Sequence, residues 1–308
     1  MTTESSAPQV PDAAAKNVPW ESAESYWMPE HVVESAWLGH GPFAFWLMAA
    51  ARPRVLAELG AHNGFSYFAF CEAAERLRLS TRTFAIDTWQ GDDHAGFYTE
   101  EIYDLVSRVN AELYADDSTL LRGYFDDFVD TFDDGSIDLL HIDGRHSYED
   151  AKHDFESWLP KLSDRGVVLF HDIAEHERGF GVWKLWDEVA ARYPSFAFEH
   201  SHGLGVITVG PSIPAALRSL FDADEDETVR IRNFYSARGD RVIAAYSLLL
   251  EREQLRAALV ESDRQLFDSR NELIGAHNSI AWKSSAPLRW VIGHVPASIR
   301  LRLRGIPQ

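Results

Sequence analysis

Two apolar runs of the chain end in histidine and aspartate, side chains that bind metals or move protons. Asp143 and His146 follow the run 137–142, and His171 and Asp172 close the run 167–172. Carboxylates with imidazoles make an oxygen-biased site for Mg²⁺ that also permits Mn²⁺ or Zn²⁺. An imidazole also serves as a general base near neutral pH. The alternative is a solvated loop after each run.

A second candidate site is the glycine turn that follows the run Val55–Leu59. Its spacing is Glu58-x-Gly60-x-x-x-Gly64, with Ser66 two residues later, and it differs from the Gly-x-Gly-x-x-Gly of dinucleotide binders. Glycine lets the backbone approach a ligand closely, and the amides of a helix start attract a carboxylate. We predict that this turn binds a cofactor, with Glu58 holding an amino group of that ligand. An ordinary tight turn is the alternative.

Asp87 ends the next apolar run, 83–87. A carboxylate at that place in an α/β fold accepts hydrogen bonds from ribose hydroxyls. Because nicotinamide enzymes carry an acid in a comparable place, Asp87 indicates an adenosine ligand rather than one reaction. Tyr124 and Phe125, after the third run, either cover an adenine or pack in the core.

The chemistry-bearing residues need a sheet that brings these run ends together. The pattern predicts a parallel sheet with crossover helices, whose last two strands form an antiparallel hairpin. This is the order of a Rossmann-like seven-stranded methyltransferase sheet of the α/β class. A dinucleotide dehydrogenase would need a sixth parallel strand. The predicted strands are Val55–Leu59, Thr83–Asp87, Thr119–Arg122, Ile137–Ile142, Val167–His171, Phe196–His200 and Val206–Val209.

Five segments follow from composition. They are a disordered lead (1–18), an aromatic helical cap (19–50), the catalytic domain (51–211), a helical arm (212–280) and a basic tail (281–308). A long helix is predicted over Asp240–His277, and its leucine spacing indicates a short coiled coil or a helix packed on its own domain. The tail has no acid, so it suits an anionic membrane surface or an acidic partner.

The remaining composition narrows the function classes. The formal net charge of −19 argues against a nucleic-acid partner. Cys71 is the single cysteine, which fits a reducing compartment. The start of the chain lacks the apolar core of a signal peptide, and no run is long enough to cross a membrane. We expect a cytoplasmic protein, with a peripheral location at the inner face of the membrane as the alternative.

Four motifs in sequence resemble the class I S-adenosylmethionine-dependent methyltransferases of the macrolide-sugar O-methyltransferase-like family. They are the Glu58–Gly64 turn, 143–149 (DGRHSYE), 154–162 (DF then WLPKL) and 166–172 (GVVLFHD). The resemblance implies S-adenosylmethionine as cofactor, with Glu58 at the amino end of its methionine moiety, and a sugar hydroxyl as acceptor. The loop 89–98 and Trp183 are expected to shape the acceptor pocket. The resemblance also implies a divalent metal, Mg²⁺ first, held by Asp143, His171 and Asp172, with His146 as base. Related enzymes often carry an acid where this chain has His171.

A shorter stretch, 279–289 (SIAWKSSAPLR), resembles a segment that follows helical arms in bacterial proteins of cell-surface glycan assembly. It favours a sugar of a surface polysaccharide, a glycolipid or a glycosylated metabolite as acceptor. The same arm suits a glycan-assembly partner or a second copy of the chain. Two rivals stay open at this point: a non-catalytic methyltransferase-like module that recruits glycan-assembly partners, and a nicotinamide oxidoreductase.

Overall fold

The computed structural model describes residues 20–92, 96–177 and 179–294. The contacts divide the chain into two compact units, Met1–Tyr246 and Ser247–Gln308. The first unit includes the first part of the long helix, which buries Ile231, Tyr235 and Val242. The predicted end of the catalytic domain, at 211, stays a prediction. The predicted disordered lead lies outside the described residues, as does the tail after residue 294.

The first unit contains a sheet of seven strands. They are β1 (Val55–Leu59), β2 (Arg82–Asp87), β3 (Ser118–Arg122), β4 (Ile137–Ile142), β5 (Leu162–His171), β6 (Ser195–Phe198) and β7 (Leu204–Thr208). Their order in the sheet is β3-β2-β1-β4-β5-β7-β6. Strands β1 to β5 run parallel, and β7 lies antiparallel to both β5 and β6. This confirms the Rossmann-like seven-stranded methyltransferase sheet.

Helices cover both faces of the sheet. The helices of the first unit are α1 (Gly41–Ala51), α2 (Phe65–Arg76), α3 (Glu100–Val109), α4 (Phe125–Phe128), α5 (Tyr148–Trp158), α6 (Val182–Ala190), α7 (Ala215–Phe221) and the first part of α8 (Glu225–Asn278). The second unit contains the rest of α8, with α9 (Ile280–Ser284) and α10 (Ala286–His294). The core on one face includes residues of α1, α2 and the start of α8, and that on the other includes residues of α5 and α6.

The aromatic segment before the sheet forms part of the first core. Helix α1 is apolar on nearly every side, which is typical of a helix buried all round. Phe43 and Phe198 stand edge to face with ring centroids 4.6 Å apart. Tyr235 of α8 donates a hydrogen bond to the carbonyl of Trp20, at 2.8 Å. These contacts fix the aromatic segment and the start of α8 to the sheet.

The long C-terminal helix is present and begins earlier than predicted, at Glu225. In the second unit, the leucines of the predicted coiled-coil pattern are each more than 60% exposed: Leu248, Leu255, Leu259, Leu266 and Leu273. The coiled coil stays a prediction. Among the described residues, no helix is long and apolar enough to span a membrane.

Candidate active site

A pocket of about 820 Å³ opens at the carboxyl edge of the parallel strands. That edge is where α/β sheets bind ligands, and the volume falls in the usual range for a ligand site. Seven of the predicted site residues line it: Gly60, Ser66, Asp87, Asp143, His146, His171 and Asp172. Glu58 and Gly64 lie beside the pocket and do not line it.

The glycine turn packs directly against the end of β4. Gly60 has a φ of +90°, and a Cβ there would lie 2.1 Å from the carbonyl oxygen of Asp143. Gly64 has a φ of +82°, and its Cβ would lie 2.6 Å from the ring of Phe68. Since real Cβ atoms do not come so close, both positions require glycine. The glycine turn is therefore held at a fixed separation from the end of β4.

Glu58 is fully buried behind this turn. Its Oε1 accepts a hydrogen bond from Ser66 Oγ at 2.7 Å, and its Oε2 lies 3.0 Å from Nδ1 of His141. Burial raises the pKa of Glu58, with His141 and Ser66 acting in the opposite direction. The carboxyl group thus orients Ser66, which does reach the pocket. A direct contact between Glu58 and the cofactor stays a prediction.

Asp87 organises the cofactor turn from the neighbouring strand. Its Oδ2 accepts hydrogen bonds from the amides of Ala61 and His62, at 2.8 and 2.9 Å, and its Oδ1 accepts one from the amide of Trp89 at 2.7 Å. A carboxylate has about four acceptor sites, so Oδ1 keeps capacity for a ligand hydroxyl.

Four ionisable side chains meet where β4 and β5 end. His146 Nε2 lies 2.9 Å from Asp172 Oδ2. His171 Nδ1 lies 3.2 Å from Asp143 Oδ1 and 3.4 Å from Asp172 Oδ2. The other ring nitrogen of His171 donates to the carbonyl of Ser201, at 3.1 Å. Asp172 has a φ of +60°, a conformation that costs free energy in a residue other than glycine and is common at functional sites.

The four groups stabilise one another's charged forms. Burial alone would lower the pKa of His171, but Asp143 and Asp172 raise it well above its ordinary value. Burial also opposes charge on His146, and the hydrogen bond to Asp172 raises its pKa. Burial would raise the pKa values of Asp143 and Asp172, yet the neighbouring imidazoles lower them both. Each imidazole of the site therefore lies beside a carboxylate that favours its protonated form.

The donor set fits a divalent cation. Ligand atoms of Asp143, His146 and Asp172 lie within 4.8 Å of one another. The metal ligands predicted from the sequence are the same two aspartates with His171, instead of His146, as the third ligand. The Nε2–H of His171 is fixed by the Ser201 carbonyl, an arrangement that directs the other nitrogen toward a metal. Both arrangements share the two aspartates.

Phe180 is a pocket residue that has no clear signal in the sequence. Phe180 stacks on His146 with ring centroids 4.4 Å apart, and Tyr98 stacks on His62 at 4.5 Å. Only Gly179 and Gly181, on either side of Phe180, hint at a special loop there. Predicted residues that also line the pocket are Gln90, Gly91, Tyr98, Tyr124 and Phe125.

Other parts of the predicted acceptor pocket lie elsewhere. Trp183 is not among the described residues that line the pocket. Its indole donates instead to the carbonyl of Phe180, at 3.1 Å. Trp89, the first residue of the predicted acceptor loop, is buried. Residues 93–95 of the predicted acceptor loop lie outside the described residues.

A family model and one relative each match part of the chain. Residues 57–173, from β1 to just beyond β5, match a family model described as a methyltransferase domain. This match supports a class I S-adenosylmethionine-dependent methyltransferase domain, and the macrolide-sugar resemblance stays a prediction. The protein y4gI of Sinorhizobium fredii is 55% identical over 186 residues, which are 60% of this chain and 20% of y4gI. The chain therefore spans about a fifth of that relative.

Two solved structures are similar to part of the chain. The O-methyltransferase TomG of Streptomyces achromogenes is 17% identical, with 62% of this chain and 97% of TomG covered and a TM-score of 0.43. An O-methyltransferase of Bacillus cereus is 16% identical, with 59% and 84% covered and a TM-score of 0.43.

Proposed function

We propose that the chain transfers a methyl group from S-adenosylmethionine to a sugar hydroxyl. The observation that carries this proposal is one pocket in which the Gly60 turn, Asp87 and the paired histidines and aspartates all meet. The first two suit an adenosine-containing cofactor, and the last suits activation of an oxygen nucleophile.

The cofactor's position follows from the sheet edge. Ser66 and the start of α2 face the methionine end, because helix-start amides and a hydroxyl can meet its carboxylate. Asp87 faces the ribose hydroxyls through Oδ1. The nucleobase then lies toward Tyr124 and Phe125, beyond the end of β3.

His146 takes the proton from the acceptor hydroxyl. A sugar hydroxyl is a poor nucleophile until a base removes its proton. The carboxylate of Asp172, 2.9 Å from His146 Nε2, orients the ring and stabilises the imidazolium that forms. The ring of Phe180 stacks on a face of the His146 ring and helps to fix its position. In-line placement of the oxygen near the activated methyl group supplies much of the remaining acceleration.

Asp143 and Asp172 would hold a divalent cation, with His171 as the third ligand through Nδ1. Such an ion, when bound, would polarise the acceptor hydroxyl. His171 already stands between the two carboxylates, at 3.2 and 3.4 Å. The imidazole therefore lies within reach of an ion that both aspartates would hold.

The proposal of a sugar acceptor draws on the pocket wall beyond the catalytic group. The pocket lining also includes aromatic rings and hydrogen-bonding groups, among them Tyr98, Gln90 and Phe180. A site with flat apolar surfaces and a few placed polar groups suits a polyhydroxylated ligand. The segment 279–289 adds the expectation that this sugar belongs to a surface glycan.

The proposal is tested first by ligand-dependent stability. S-adenosylhomocysteine should raise the melting temperature, since a ligand at about 100 times its Kd stabilises by about 2.7 kcal/mol, and NAD should not. Mass spectrometry of surface glycans from strains with and without the gene should then show one sugar that differs by the mass of a methyl group. Stabilisation by NAD alone, or identical glycans, would contradict the proposal.

A further inference from the structure

Asp154 is an acid in the same pocket that the proposed chemistry does not use. It lies on α5, is 7% exposed and lines the pocket. Within the part of the chain that the structure describes, no group donates a hydrogen bond to its carboxyl group. Its neighbour in the pocket, Asp150, differs in this respect, because Asp150 Oδ2 accepts a hydrogen bond from Ser147 Oγ at 2.7 Å.

Gly144 and the ring of Phe125 lie close to the carboxyl group of Asp154. A Cβ at Gly144 would lie 3.3 Å from Asp154 Oδ2 and 2.5 Å from the ring of Phe125. The carboxyl group and the ring therefore share the space next to Gly144, just past the end of β4. Burying an acid without a partner costs free energy, so a partner from outside the chain would recover that cost.

The positions of the residues that line the pocket restrict which group of the ligand can be that partner. S-adenosylmethionine carries three kinds of donor: the α-amino group, the ribose hydroxyls and the 6-amino group of adenine. Ser66 marks the methionine end and Asp87 the ribose. Asp154 lies beside Phe125 and Gly144, at the end of the pocket that is left for the base.

We propose that Asp154 recognises the purine of the cofactor by accepting a hydrogen bond from its 6-amino group. This assignment rests on the proposed function and adds a specificity-determining residue to it. Burial raises the pKa of Asp154 to about 7, with His153 opposing and Asp150 and Asp126 adding to the rise. A protonated carboxyl group also has an O–H to donate, and N1 of adenine, adjacent to the amino group, is an acceptor.

The test compares two ligands in three proteins by calorimetry. The ligands are S-adenosylhomocysteine and its analogue with hydrogen in place of the purine 6-amino group. The wild-type chain should prefer the amino form by at least about fivefold, the scale of a hydrogen bond to a buried polar group. Asp154→Leu should lose this preference. Asp154→Asn should keep it, because an amide carbonyl still accepts and its NH₂ still donates to N1.

Stability without ligand separates this role from a structural one. Removing an unpaired buried acid should leave the melting temperature of Asp154→Leu unchanged or raised, whereas a structural acid would lower it. Asp150→Leu is the matched control on the same helix, and it should keep the wild-type preference between the two ligands.

The outcomes distinguish the two proposals. Binding of S-adenosylhomocysteine with equal amino-group preference in wild type and Asp154→Leu would overturn the role of Asp154 alone. A lower melting temperature of Asp154→Leu with the preference retained would make Asp154 structural. If the wild-type chain bound neither ligand, both the proposed function and this assignment would fail.

Discussion

Replacing Gly60 with alanine tests the contact between the cofactor turn and the catalytic strand end. The left-handed backbone at this position costs an L-residue about 1–2 kcal/mol. The added Cβ would also lie 2.1 Å from the carbonyl oxygen of Asp143, which is backbone and cannot rotate away. Such overpacking costs about 1–3 kcal/mol. The sum is about 2–5 kcal/mol of unfolding free energy.

Gly135→Ala is the matched control. Gly135 also has a positive φ, +69°, but a Cβ there meets no described atom within 4 Å. Its cost should therefore be the backbone component alone, about 1–2 kcal/mol. The two variants should differ by about 1–3 kcal/mol, or about 2–12 °C in melting temperature for a domain of this size.

Thermal unfolding followed by circular dichroism measures this difference, and calorimetry measures S-adenosylhomocysteine affinity. Gly60→Ala should also bind the ligand more weakly, because relief of the clash displaces the strand end at Asp143. Gly135→Ala should bind normally. Equal melting temperatures and equal affinities in the two variants would refute the close contact between turn and strand.

The other predictions concern the base, the metal, an acid-sensitive ion pair and the tail. His146→Ala should lower turnover at least about a hundredfold while cofactor affinity stays nearly unchanged, as single-turnover kinetics and calorimetry would show. Chelation and Asp143→Asn should each reduce methyl transfer by a similar factor, and full activity after exhaustive chelation would eliminate the metal. Buried Asp138 should stabilise the fold above about pH 4 and lose that contribution as the pH falls toward 2. Although burial opposes it, hydrogen bonding to Arg54 lowers the pKa of Asp138 from 3.8 to about 2, which corresponds to about 2 kcal/mol. Acid unfolding of Asp138→Asn should lack this pH dependence. Removal of 281–308 should abolish sedimentation with vesicles of anionic phospholipid, and equal sedimentation of both chains would contradict a lipid-binding tail.

The strands were predictable because their apolar runs are bounded by turn residues. β1 and β4 have the predicted limits, Val55–Leu59 and Ile137–Ile142. β5 begins five residues before its predicted start, at Leu162, because Leu162 pairs with Ile137 although polar residues interrupt the run. The pairing partner in the sheet, rather than local hydrophobicity, decides such an extension.

The predicted start of α8, Asp240, lies after its observed start, Glu225. The acidic run 222–227 suggests a loop, yet acids at the first turn of a helix are favoured by its dipole. The same residues are therefore compatible with a helix start at Glu225. Tyr235 and Val242 of this first part of the helix pack in the core. That packing stabilises the earlier start, and the sequence alone does not reveal it.

Much of the site follows from the topology alone. Once β4 and β5 are parallel neighbours, their ends must bring Asp143 and His171 together. The sequence does not show that Glu58 is buried behind Ser66, because the turn of the chain decides which way the carboxyl group points. Phe180 and Asp154 reach the pocket from a loop and a helix, so their positions depend on tertiary contacts that no local spacing encodes.

Transfer of a labelled methyl group tests the central claim most directly. The purified chain would be incubated with methyl-labelled S-adenosylmethionine and with surface glycan from a strain that lacks the gene. The wild-type chain should place the label on a sugar oxygen, and His146→Ala, with normal cofactor affinity, should not do so at a comparable rate. Label that stays on the cofactor, or equal transfer by His146→Ala, would contradict the account.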